Sequence, residues 1–359
     1  MLFNLIYSNA FRITNETILP MNTLFLGLGL LIYLITAMDI VKTTLSSNGG
    51  GKITDAVSKG VWKAFFTLSG KNGRSKLLPY AGPVILVTVL LTWVVGLWLG
   101  FFLVLLSDPG SVIKSSDQSL ASPLEKLYYA GFTLSTLGVG DYVASSNLWR
   151  IVTDVGAFSG LVFITTSITY FLPVLSAVGL QSKLSLYISG MGKTPQQVLI
   201  NSWNGKNFSS FFDTTSDLCQ MLMQHTINHH SYPIIHYFHN SQPKLAISRA
   251  IVQLDESHKL LKHGMKQEVD LDELKMNMLQ EALDSFLDMV KGNYVKHTSP
   301  SAGAPLPDLE ELKVKGLPLK EKEDIKESFT HELQERRKLL GTLLQMEGWT
   351  WQDVYLKQT

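Results

Sequence analysis

The stretch TLSTLGVGDY, residues 133–142, brings Thr136, Gly138, Gly140 and Asp141 close together, with no charge ahead of the aspartate. Glycine at alternate positions gives the backbone access to positive φ, which a chain needs to turn successive carbonyls toward one side. Such a pattern suits three tasks: cradling a phosphate, making an ordinary turn, or replacing the water around an ion. A second cluster, HTINHHSYPIIHYFH, carries His225, His229, His230, His236 and His239. His225 and His229 share a helix face at i, i+4, a spacing that can hold zinc or another transition metal. Histidines this dense can also sense pH. No glutamate lies between the pair as in H-E-x-x-H, and the other three fall in an expected turn. Packing and hydrogen bonding are therefore the expected role, with a metal on His225 and His229 as the alternative. The single cysteine, Cys219, excludes an intrachain disulfide framework and a cysteine-rich zinc site, and reads as a core residue.

The elements that must position these residues are set by composition. The chain has 359 residues, 45% hydrophobic and 17% charged, with a mean hydropathy of +0.13. Ordinary soluble domains carry about 25% charged residues, so the chain leans toward a membrane. Its length suits a membrane part plus one soluble domain. The net charge of +1 gives no sign of a nucleic-acid partner. The first segment, 1–20, lacks a basic start and an A-x-A-like site, so no cleavable signal peptide is expected.

Crossing a bilayer core takes roughly 20 apolar residues, and three segments qualify. They are a first span over 21–42, an outer helix over 83–107 and an inner helix over 148–178. The loop between the first two carries Lys42, Lys52, Lys59, Lys63, Lys71, Arg74 and Lys76 against Asp55 alone. Basic loops stay inside, so the N-terminus is expected outside and the C-terminal half in the cytoplasm. Within the basic linker, 43–82, Ala56, Val57, Val61, Ala64, Phe65 and Leu68 fall on one helical face. That face suits either the inner membrane interface or packing on the protein itself.

Between the outer and inner helices, PLEKLYYAGFTLST is too short to span. Ser122, Pro123 and Glu125 make a capping box with proline in the first turn, predicting a helix over 123–135. Its C-terminal end carries partial negative charge, which favours a cation. Unpaired backbone at membrane depth is tolerated only where it lines a cavity or is buried in protein. Span, half-helix, glycine-rich ascent and span make a pore loop. The phosphate-loop reading fails because no strand precedes the glycines and no Lys-Ser/Thr follows them.

On these residues the chain resembles the potassium-channel pore-domain family, the two-helix pore-loop cation channels of prokaryotic type, with an extra N-terminal helix. TLGVGD at 136–141 resembles the T-V-G-Y-G filter, whose carbonyls replace an ion's hydration shell; the resemblance covers roughly residues 83–180. It implies that Thr136, Leu137, Gly138, Val139 and Gly140 coordinate K+ and that Asp141 sits at the outer mouth. Tyr128, Tyr129 and Thr133 would support the filter. Val139 departs from the family's tyrosine or phenylalanine, which removes an aromatic brace and puts strict selectivity in doubt. Gly160 lies where the family's inner helix has a hinge, although Gly156 and Gly160 could equally be packing glycines. Pro173 should kink the helix, with Phe171, Leu172 and Leu175 as candidates for a constriction. Asp154 is expected to pair with Arg150 at i, i+4.

The expected fold is therefore an all-α membrane protein, a pore-loop tetrameric cation channel core (83–180) with a cytoplasmic all-helical regulatory domain (181–359). One pore loop per chain implies a homotetramer in the plasma (inner) membrane. Its partners would be K+, the bilayer and an unknown cytoplasmic regulator, with no enzymatic activity and no cofactor. The alternatives are a weakly selective monovalent cation channel, or a non-conducting sensor acting through the histidine-rich domain.

Overall fold

The computed structural model describes residues 22–45, 49–295 and 304–355. The expected N-terminal segment, 1–20, lies outside them. Three helices are long and apolar enough to cross a membrane: Thr23–Leu45, Leu78–Leu106 with its leading 3-10 turn, and Asn147–Met191. The described chain is almost wholly helical and divides into two compact units, one of residues up to Ile40 with Leu90–Ile168, the other of Val41–Val89 with Thr169 onward.

The first unit draws on α1 (Thr23–Leu45), α3 (Ala81–Leu106), β1 (Val112–Lys114), α4 (Pro123–Leu134), β2 (Tyr142–Ala144) and the first part of α5 (Asn147–Met191). Small residues let α1 and α3 approach backbone to backbone. A Cβ on Gly29 would lie 2.7 Å from the Val104 nitrogen, and one on Gly100 would lie 2.8 Å from that of Tyr33. Gly27, beside Gly29 in sequence, has nothing within 4 Å. Because α1 continues to Leu45, Asp39 is inside the helix rather than at its end. It is buried, and its Oδ2 accepts the indole N–H of Trp93 at 3.0 Å. The strands β1 and β2 pair antiparallel, Val112 with Ala144 and Lys114 with Tyr142. At three residues each they are too short to show an alternating pattern in the sequence.

The second unit is built on α8 (Ile247–Gly264), where every residue from Ile247 to Leu261 is buried. Around it pack α6 (Pro195–Ser202), α7 (Ser209–Ser231), α9 (Glu273–Asn293), α10 (Glu310–Val314), α11 (Lys322–Glu327), α12 (Gln334–Met346) and α13 (Trp351–Tyr355). A π-turn at Ser328–Glu332 separates α11 from α12. That turn keeps Phe329 and Leu333 in the core and sets the Arg337 guanidinium over the Phe329 ring, 5.0 Å from its centroid.

Two expected boundaries move. The inner helix does not end at 178 but runs unbroken past Pro173 to Met191, and Leu184 and Ile188 join the second core. The basic linker is not a free connector either. Gly73 N donates to Gly348 O at 2.8 Å, and Arg74 pairs with Asp353 at 2.9 Å. Its helix α2 (Lys52–Leu68) buries Thr54 and Ser58 and sets Trp62 on Tyr237, with ring centroids 5.8 Å apart. Of the expected apolar face, Ala56, Ala64 and Leu68 remain exposed, so the packed side is not the one the periodicity singled out.

Candidate functional site

The half-helix α4 starts as its capping box requires. Ser122 N donates to Glu125 Oε2 at 2.6 Å, and Glu125 N donates to Ser122 Oγ at 3.5 Å. The other Glu125 oxygen accepts the Tyr142 hydroxyl at 2.5 Å. Tyr142 and then Ser122 hold the Glu125 carboxyl below its usual range, and the same bond pushes the Tyr142 phenol up to about 12. Lys126, 2% exposed, donates from Nζ to the carbonyls of Leu105, Asp108 and Pro109 at 3.1, 2.6 and 3.0 Å. It thus satisfies orphan carbonyls at the end of α3 and ties α4 to it. Sequence reasoning passed over Lys126 because a lysine early in a helix usually means solvent.

From Ser135 the chain leaves the helix and alternates its handedness. Thr136, Gly138 and Gly140 have φ of +58°, +57° and +85°. Alternating left- and right-handed residues swing successive peptide dipoles to a common side. Glycine adopts positive φ freely, whereas a β-branched residue such as Thr136 is strained there by about 1–3 kcal/mol. The carbonyls of Thr136, Leu137, Gly138 and Val139 accept no hydrogen bond from any described residue. Residues 135–141 are all exposed, Leu137 at 69% and Val139 at 50%. A methyl on either Gly138 or Gly140 would meet nothing within 4 Å.

The two ends of this segment are held. Leu137 N donates to Phe132 O at 2.9 Å and Thr136 N to Thr133 O at 3.0 Å, with Thr133 itself buried. At the other end Ser115 donates from Oγ to Gly140 O at 2.6 Å and from its amide to Asp141 O at 2.9 Å. The Gly140 carbonyl thus already accepts one bond, from Ser115, which leaves it one further lone pair. Tyr128 packs edge-on to Tyr142, with centroids 6.2 Å apart. Tyr129 is buried and meets Thr153 Oγ1 on α5 at 2.8 Å, so it braces the inner helix rather than the loop. Ser115 and Tyr142 escaped the sequence reading because they belong to the β1–β2 ladder.

Along α5, Gly160 is the point of closest approach. A Cβ there would collide with the carbonyl oxygen of Leu134, and one on Gly156 would lie 2.9 Å from the Phe101 ring. Both act as packing glycines, and the helix is unbroken at Gly160. The hydroxyls of Thr165 and Thr166 fold back onto Leu161 O and Val162 O at 2.9 and 2.6 Å. Among the described residues Arg150 forms no ion pair with Asp154. Its guanidinium instead reaches Asn147 Oδ1 at 3.5 Å, while Asp154 lines a cavity of about 540 Å³ behind the loop with Thr136 and Gly138. In the second unit, Phe171 is half-buried beside Tyr170, and Leu172 and Leu175 are exposed.

His225 and His229 do share a face, with ring centroids 5.7 Å apart, and His236 lies 5.3 Å from His229. His225 stacks on Phe286 at 5.6 Å. Burial pushes His225 and His236 down to about 4 and His229 well below its usual value. Among the described residues no three His, Cys, Asp or Glu side chains converge on a point that could hold a metal.

A family model described as "Ion channel" matches residues 87–177, which include most of the outer helix, the half-helix, the loop and most of the inner helix. The chain belongs to the pore-loop ion-channel family. It is also 30% identical over 332 residues to the "Uncharacterized membrane protein YdjJ" of Bacillus subtilis (strain 168), covering 92% of this chain and 96% of that protein. No solved structure matches it. Within this membrane ion-channel family, α1 is an addition to the matched pore region.

Proposed function

We propose that this protein is a potassium-selective channel, a homotetramer whose loops 136–141 close around one axis. The observation that carries the reading is the alternating backbone with unpartnered carbonyls on Thr136, Leu137, Gly138 and Val139. Unpaired carbonyls in a membrane protein need a partner, and a dehydrated K+ supplies one in a file of weak sites. The exposure of 135–141 in a single chain fits a surface that further copies complete. Ions would pass without any chemical step or cofactor. The charge of the basic linker supports a C-terminal half in the cytoplasm, beneath a plasma (inner) membrane, where the second unit would regulate α5 near Pro173 and Phe171.

Val139 supports a second reading, a weakly selective monovalent cation channel. It offers a carbonyl but, half exposed, no aromatic brace. Reversal potentials of the purified protein in planar bilayers with K+ on one side and Na+ on the other decide between them. A shift near the K+ equilibrium value supports strict selectivity, a value near zero supports the second reading, and absence of current from a folded oligomer overturns both.

A further inference from the structure

Helix α2 packs on its own unit by a polar side and leaves its apolar side open. Thr54 and Ser58 are buried against the protein, and Trp62 follows them onto Tyr237. At 3.6 residues per turn, Ile53, Val57, Ala64 and Leu68 share a different strip, about 60° wide. Ile53 and Val57 are only half-buried, Ala64 is exposed, and Leu68 is 76% exposed. Gly60 borders this strip, and a methyl there would meet nothing within 4 Å. A helix on a soluble core turns its apolar stripe inward. Here Ala64 and Leu68 still lack a cover.

Chain continuity says what lies against them. The helices α1 and α3, which flank α2 in sequence, are both long and apolar enough to cross a bilayer. The linker between two successive spans stays at one membrane face, so α2 belongs to the leaflet in which α1 ends. Thr43, in the last turns of α1, clamps its start. The Thr43 hydroxyl donates to Thr54 Oγ1 at 3.1 Å and accepts from Gly51 N at 2.8 Å. The first turn of α2 is thereby fixed where α1 leaves the hydrocarbon.

Charge identifies the kind of surface. Lys52, Lys59 and Lys63 fall about 130° round the helix from the strip. From that flank their long side chains can reach phosphates while the strip sits among acyl chains. Asp55 neutralises Lys59, at 2.6 Å. Among the described residues no carboxylate pairs with Lys52, Lys63 or Lys42, the exposed neighbour of Thr43. A zwitterionic surface leaves these three charges unmatched, and a second copy brings the same lysines with it. Anionic headgroups neutralise them.

We propose that α2 docks on anionic phospholipid, with the strip from Ile53 to Leu68 among the upper acyl chains and Lys42, Lys52 and Lys63 on headgroup phosphates. Because α2 also packs through Trp62 on Tyr237, this contact anchors the helical core of the second unit to the bilayer. The inference rests on the membrane spans and not on conduction.

The test uses the full chain in liposomes of phosphatidylcholine and phosphatidylglycerol, with Cys219→Ala removing the native thiol. A fluorophore on Ala64→Cys or on Leu68→Cys reports the strip, and one on Glu273→Cys serves as the reference. Glu273 is exposed and lies about 30 Å along α9 from Asn293, which neighbours the start of α2. A nitroxide high on the acyl chain is expected to quench both strip labels at least about threefold more than the reference. Carried on phosphatidylglycerol, it should quench them at least about twofold more than on phosphatidylcholine. Lys42→Gln/Lys52→Gln/Lys63→Gln should abolish that preference while acyl-chain quenching persists. Salt at about 1 M, where the screening length falls to about 3 Å, should do the same. All three lysines are exposed, so the variant reports lipid binding rather than folding. Quenching no stronger than at the reference overturns the proposal. So does equal quenching by the two lipids, or a preference that survives the triple variant. Self-quenching between Leu68 labels of adjoining copies, without quenching by lipid, assigns the face to a second copy and overturns it too.

Discussion

The loop 136–141 and the core around α8 handle polar groups in opposite ways. The loop leaves four consecutive carbonyls without a partner from the described residues and fully open in one chain. Helix α8 carries eight charged or polar side chains from Ser248 to Lys259 into the interior, and many of them are matched there. Glu256 takes a bidentate grip from Arg337, at 2.9 and 3.0 Å, and a hydroxyl bond from Tyr355. Asp255 and Asp284 share Arg336. One region is self-sufficient, and the other, on the proposed channel reading, would be finished by ions and further copies. Burial decides stability in the second unit, while in the first it is the open valences that carry the work.

The comparison breaks most sharply at Gly160. Gly160→Ala drives a methyl into the carbonyl of Leu134 and so displaces the end of the half-helix. Overpacking of this kind costs about 1–3 kcal/mol or more. Bilayer current should fall to background while the second unit keeps its far-UV circular dichroism; unaltered current would show that the loop tolerates movement of α4. Arg337→Met comes next, because it strands a buried carboxylate at about 3–5 kcal/mol. Thermal unfolding followed by tryptophan fluorescence should show a large loss, with most of it recovered in Arg337→Met/Glu256→Leu and no change in reversal potential.

Acid should distinguish the regions as well. His225 and His236 are held neutral by burial, with values near 4 in the fold against 6.5 in the unfolded chain. The unfolded chain therefore binds more protons between these limits. The stability present above pH 6.5 falls as pH drops toward 4, by about 1.4 kcal/mol per pH unit for each histidine. His225→Phe, which can keep the stack on Phe286, should flatten that slope, as read by unfolding midpoints across pH; an unchanged slope places the titration elsewhere. The smallest effect belongs to Tyr142→Phe, which removes one solvent-screened bond to Glu125. Selectivity should loosen slightly, measured as a small shift of reversal potential, with conduction intact.

Much of the loop was legible because its signals are local. The Ser122/Glu125 box, the proline after it and the alternating glycines each fix backbone geometry within a few residues. What sequence could not supply came from distant partners. Ser115 claims the Gly140 carbonyl across 25 residues of chain, and Tyr128 meets Tyr142 only because the loop returns past the half-helix. The expected Arg150–Asp154 pair obeyed helical spacing, yet Asn147 lay within closer reach of the guanidinium. Pro173 was expected to mark a weakness near the helix end, but packing of Leu184 and Ile188 carries α5 well beyond it. In the second unit, helix positions were readable from their apolar spacing, whereas the burial of α8 on every side was hidden by its own charges.

The bond between Asp39 and Trp93 bears on how the protein reaches its membrane. A carboxylate inside a spanning helix raises the cost of insertion, by at most about 2.5–3.5 kcal/mol, the value at the helix centre. In the finished fold that oxygen is buried against an indole on α3. During synthesis α1 emerges first and has no such partner until Trp93 leaves the ribosome 54 residues later. The first helix is therefore a poor passenger alone, and the translocon should hold it until α3 arrives and release the two as a pair.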